Sequence, residues 1–95
     1  MVETKAAWKR IVARAIAEYI KEKGSPVQAP APESVVLERP PKPELGDFGF
    51  PMFPYAKLLR AAPAQVAAAL AAIVARDPEA ARLGAALPEG PYLNV

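Results

Sequence analysis

A chain of 95 residues has surface enough for one small core and not for two. It contains no cysteine and no histidine, which excludes a disulfide framework, thiolate zinc sites, a cysteine nucleophile and the usual general base. Twelve Lys and Arg against ten Asp and Glu leave a net charge of +2, and the carboxylates stand singly, without the clustering that a metal cage or a paired acid and base requires.

From Trp8 the apolar positions run Ile11, Val12, Ala15, Ile16, Tyr19 and Ile20, the three-four spacing of one helix face, and predict an amphipathic helix over residues 3–23. Gly24 supplies a left-handed cap and Pro26 forbids continuation. Residues 1–23 hold six cations against three carboxylates, a basic face that serves either phosphate contact or solubility; solvated surface is the preferred reading. A proline-rich connector over 24–34 follows, semi-rigid rather than a second domain boundary. Ser34 to Glu38 is short and β-branched and reads as a strand, which Pro40, Pro41 and Pro43 stop beyond Arg39.

Around Pro51 the pattern becomes helical, with a first turn able to hold Pro51 and Pro54. Pro63 opens a further helix that places Val66, Leu70, Ile73 and Val74 on one face. Asp77-Pro78 has the chemistry of an N-cap and first helical position. Leu83 to Leu87 and Pro91 to Val95 then flank the loop Pro88-Glu89-Gly90 as a terminal hairpin. This order lacks βαβ alternation, so the expected class is α+β: a small antiparallel sheet with about three to four helices packed on one face, the sheet and helices occupying 35–95. The longest apolar stretch, Val66 to Ala75, is far below the roughly 20 residues that span a bilayer. A cytoplasmic protein without a membrane partner is the expectation.

Gly46-Asp47-Phe48-Gly49 has two glycines three apart, but no hydrophobic strand leads directly into it and no Gly-Lys-Ser/Thr follows, so a nucleotide loop is rejected. Gly46 and Asp47 read better as a structural turn and helix cap. Arg39 and Lys42 on the stiff loop, with Lys57 and Arg60 one turn apart on the next helix, are candidate phosphate contacts. A strand's period of two places Tyr92 and Asn94 on one face, Leu93 and Val95 on the other. The first pair joins an aromatic ring to an amide, the combination that stacks an unpaired base and hydrogen-bonds its edge; pattern alone favours ordinary exposed surface. Phe48, Phe50 and Phe53 read as core in preference to docking groups.

The run Leu45-Gly46-Asp47-Phe48-Gly49-Phe50-Pro51-Met52-Phe53, continued by Ala56-Lys57-Leu58-Leu59 and by Pro63-Ala64-Gln65-Val66-Ala67, resembles the N-terminal additional domain of bacterial arginyl-tRNA synthetases. In that family a Gly-Asp-aromatic turn leads to a helix ending Ala-Lys-x-Leu, Pro-x-x-Ile/Val-Ala opens the next helix, and Gly-x-Tyr/Phe-Leu/Ile-Asn closes the domain. Gly90-Pro91-Tyr92-Leu93-Asn94 stands at that last place. The resemblance covers residues 35–95, and Pro54 departs from it at the helix start.

The resemblance implies an arginine–tRNA ligase whose catalytic body follows this domain. That body would bind ATP, with Mg, through a histidine-containing signature that a chain without histidine cannot hold, so the 95 residues themselves are expected to be non-catalytic and without cofactor. It further implies recognition of the D-loop and elbow of tRNA-Arg, an unpaired D-loop base being read by Tyr92 and Asn94, with no DNA partner. The remainder of the synthetase chain would be the other partner. A free-standing RNA-binding module and a protein-interaction domain remain the alternatives.

Overall fold

The computed structural model describes residues 2–24, 28, 30–38, 48–84 and 86–95. Helix α1 spans Val2–Lys23 and ends as predicted, with Gly24 at φ 66° and its N–H donating to the Lys21 carbonyl at 3.1 Å. Its apolar stripe is inside the molecule: Trp8, Ile11, Val12, Ile16, Tyr19 and Ile20 are all buried. Each such large side chain contributes on the order of 1.5–3 kcal/mol relative to exposure. The stripe rests on α3, Pro63–Val74, whose Val66, Ala67, Leu70 and Val74 are buried. Ala13 and Ala15 of α1 are buried as well.

The remaining elements are β1 (Gly49–Pro51), α2 (Phe53–Leu59), α4 (Pro78–Leu83), β2 (Leu87–Glu89) and β3 (Tyr92–Asn94). The strands form one antiparallel sheet in the order β1-β3-β2, and α3 lies between α1 and this sheet, in contact with β2 and β3. Phe50 and Leu93, opposite each other in register, are fully buried on the inner face. The α+β class and the helices on one face of the sheet are as the sequence predicts.

Every strand here is only three residues long, and two of the three contain proline. The ladder shows why they are tolerated. Phe48 and Val95 exchange both backbone hydrogen bonds, at 3.2 and 2.9 Å, so by alternation Phe50 and Leu93 also bond, while Pro51 lies opposite Tyr92 in a non-bonded pair. On the other side the same alternation points the Tyr92 and Asn94 backbones at Glu89 and Leu87, leaving Pro88 opposite Leu93 with no donor required. Gly90, at φ 57° and followed by Pro91, gives the two-residue hairpin loop a left-handed first position and a fixed second one.

Three predicted boundaries move. The strand over Ser34–Glu38 is reduced to a single bridge: Pro32–Ser34 form a 3₁₀ turn, Val35 is buried, Val36 is half exposed, and only Glu38 pairs, exchanging 2.8 and 2.6 Å bonds with Gly49. The next bonded position on that edge of β1 is Pro51, which has no N–H to offer, so the ladder stops after one rung. The second helix begins at Phe53 with Pro54 in its first turn; Pro51 belongs to β1. Its N-cap is therefore Met52, with no side-chain cap bond. Gly46 and Asp47 themselves lie outside the described residues. The hairpin is likewise shorter than predicted, Leu83 ending α4 instead of pairing.

Candidate nucleic-acid interface

The outer face of the sheet carries Tyr92 and Asn94 from β3, Gly49 and Pro51 opposite them on β1, and Leu87 and Glu89 opposite them on β2. Leu93 is fully buried behind this face and Val95 is partly buried against the core, the alternation predicted for the strand. The pair, however, is less open than a bare strand surface. Tyr92 is half-buried, and Asn94 is 7% exposed, the one buried polar residue among those described. Tyr92 thus offers part of its side chain to solvent, and Asn94 very little.

The Tyr92 ring has an aromatic neighbour whose hydrophobicity had predicted a place in the core. Phe53, the first residue of α2, meets it edge to face, with ring centroids 6.0 Å apart and planes at 89°. Phe53 is 51% exposed, whereas Phe50 is fully buried and Phe48 is partly buried against the core. The core assignment thus holds for Phe48 and Phe50 and fails for Phe53. The reason is the helix start: with β1 ending at Pro51, the chain turns outward at Met52 and presents Phe53 to the outer face.

The cations divide into two groups. Arg10 and Arg14 of α1 reach across to the entrance of α4, where Arg10 pairs with Glu79 at 2.9 Å and Arg14 with Asp77 at 2.9 Å and Glu79 at 2.8 Å. Asp77 also accepts from the Glu79 N–H at 2.9 Å as the α4 N-cap. Partial burial pushes the Asp77 carboxyl up, but hydrogen bonds from Arg14 and from the Glu79 N–H outweigh it and hold it below its usual value. Glu79 is lowered by its bonds to Arg14 and Arg10, and the Arg14 guanidinium is raised in return, chiefly by Glu79. Arg76 approaches Glu22 at 3.7 Å, and Lys23 lies 5.5 Å above the Tyr19 ring. Much of the basic face of α1 is therefore engaged within the molecule. The open groove beside this network, about 510 Å³, is lined by the paired Arg14, Asp77 and Glu79, by Glu18 and Arg76, and by apolar side chains such as Ile73 and Val74.

Lys57 and Arg60 are exposed and take part in no ion pair among the described residues. Arg60 caps α2 in the left-handed conformation, φ 55°, its N–H donating to the Ala56 carbonyl. Arg39 and Lys42, the other two predicted phosphate contacts, lie outside the described residues. Gly49 enters strand β1 rather than a helix N-terminus, so it does not open a helix of the kind that binds phosphate.

The described residues thus form a small α+β domain with Tyr92 and Asn94 on its central strand. The chain belongs to the arginyl-tRNA synthetase N-terminal domain family, whose model matches residues 6–95. Among curated proteins it is 36% identical over 88 residues to the arginine–tRNA ligase of Treponema pallidum, covering 93% of this chain and 14% of that protein. It is 33% identical over 95 residues to the ligase of Treponema denticola, covering 100% and 16%, and 37% identical over 89 residues to that of Clostridium perfringens, covering 92% and 14%. The chain thus spans about one-seventh of the length of these relatives. No solved structure matches it significantly. No single described helix is long and apolar enough to cross a membrane.

Proposed function

We propose that this domain recognises tRNA-Arg for an arginine–tRNA ligase, reading an unpaired base of the D-loop at the tRNA elbow. Tyr92 is the stacking platform, and the Asn94 amide, able to donate and accept, reads the base edge. The observation that carries this reading is the placement of the two at alternate positions of the central strand, with the ring propped by Phe53 and Asn94 almost wholly buried. Fixing both groups before binding lowers the ordering cost of recognition.

The chemistry belongs to the rest of the ligase. ATP, with Mg, and arginine are taken by a catalytic body in the cytoplasm, and residues 1–95 contribute recognition of the nucleic acid alone. The test is a titration of labelled tRNA-Arg at low salt. Tyr92→Ala should weaken binding by roughly 5- to 150-fold, the equivalent of about 1–3 kcal/mol for a lost stacking partner, with an unchanged melting curve. Binding as tight as the unaltered protein's would refute the assignment.

A further inference from the structure

The stripe that begins at Phe53 continues along α2. Phe53 and Lys57 stand at i and i+4, one face of the helix, and Arg60 follows them as its C-cap. All three are exposed, while Tyr55 on the opposite side is buried. Seven residues at 1.5 Å each make the stripe roughly 10 Å long, enough for the backbone of one or two nucleotides. Its first residue touches Tyr92. On the other flank of Tyr92 stands Glu89, directly opposite in the β2–β3 register and exposed, where a phosphate would be repelled. An ordinary explanation for Lys57 and Arg60, charge complementing the C-terminal end of the α2 dipole, accounts for cations at that end but not for the place of Lys57 one turn from an exposed aromatic on the same face.

From this arrangement we infer that α2 is a phosphate track: the RNA strand whose base stacks on Tyr92 leaves along Phe53, Lys57 and Arg60, and does not cross β2. Phe53 is a positioning residue that holds the Tyr92 ring and lines the start of the path. The inference rests on the base-reading role proposed for Tyr92 and adds the direction of the strand.

The experiment measures tRNA-Arg affinity as a function of salt for the unaltered protein and five variants: Lys57→Gln with Arg60→Asn combined, Phe53→Ala, Glu89→Gln, Lys21→Gln and Tyr92→Ala. Asparagine is used at 60 because it tolerates the left-handed backbone there. The double variant gives up two single-strand phosphate partners and should flatten the log–log salt slope by about 1.4, and Lys21→Gln, an exposed α1 cation, should leave it unchanged. Glu89→Gln should bind at least as tightly as the unaltered protein. Phe53→Ala should weaken binding roughly two- to tenfold without altering the slope, and thermal melts of all variants check the fold. A double variant with the original slope, or a Lys21→Gln variant that flattens it equally, overturns the track while leaving the base reading to stand on Tyr92→Ala. Undiminished binding by Tyr92→Ala overturns both.

Discussion

Tyr92 and Asn94 share a strand face but not an environment, and this separates the consequences of replacing them. The half-buried Tyr92 can lose its ring with little damage to the core. Asn94, at 7% exposure, cannot be truncated so cleanly, because removing a buried amide strands its neighbours or leaves a void, typically at about 1–3 kcal/mol. Asn94→Ala should therefore lower both the melting temperature and RNA affinity, and only the part of the affinity loss that survives correction for folding belongs to recognition. Leu93→Ala gives the opposite control: a fully buried side chain leaves a cavity, costs roughly 2–5 kcal/mol and acts on stability first. Chemical denaturation of the three variants should rank Leu93→Ala as the most damaging and Tyr92→Ala as the least. The alternation that puts Leu93 inside was legible from a period of two. The burial of Asn94 was not, since it depends on the strands that pair on both sides of it and on packing that a period of two does not encode.

At the scale of elements, α4 is attached to α1 by side chains 63 to 69 residues apart in sequence. Asp77 was readable as a cap from its Asp-Pro dipeptide, but its second role, receiving Arg14, was not. Asp77→Ala removes the cap bond to Glu79 and the Arg14 pair together and should cost about 0.5–2 kcal/mol, a fall in melting temperature of several degrees for a domain this small. The acid dependence follows from the same interactions. Folding lowers the carboxyl pKa of both Asp77 and Glu79, so their stabilisation is complete above the ordinary carboxylate range, near pH 4, and is lost as the pH falls through the lower folded values. A double variant Asp77→Asn, Glu79→Gln should melt lower than the unaltered protein at neutral pH and approach it below about pH 4; an undiminished gap in acid would contradict the pairing. The same logic of distance explains the strand predicted over Ser34–Glu38. Its β-branched run is real, and Val35 does reach the core, yet the edge it would join ends at Pro51, a limit set by a segment distant in sequence.

The whole molecule places its long helices where periodicity put them, because α1 and α3 each bury a continuous stripe and the 3.6-residue repeat survives any tertiary context. What periodicity could not reveal is which exposed groups meet. Phe53 was assigned inside on hydrophobicity alone, and only the turn at Met52 brings it to Tyr92. The spacing of Phe53 and Lys57 was present in the sequence as a signal, but without a fixed helix start it had no direction. A chain holding recognition and no catalysis should give only background in an arginine-dependent ATP–pyrophosphate exchange assay, and exchange by homogeneous 95-residue protein would remove the division of labour proposed here.

The most direct test of the central claim pairs a change in the protein with a change in the RNA. Affinities are measured for the unaltered protein and Tyr92→Ala, each with tRNA-Arg and with a tRNA-Arg whose unpaired D-loop base is replaced by an abasic nucleotide. If Tyr92 reads that base, the unaltered protein loses affinity on the abasic tRNA, the variant binds both tRNAs alike, and the coupling between the two changes approaches the full stacking contribution of about 1–3 kcal/mol. If Tyr92→Ala distinguishes the two tRNAs as strongly as the unaltered protein does, the base is read elsewhere and the assignment is wrong.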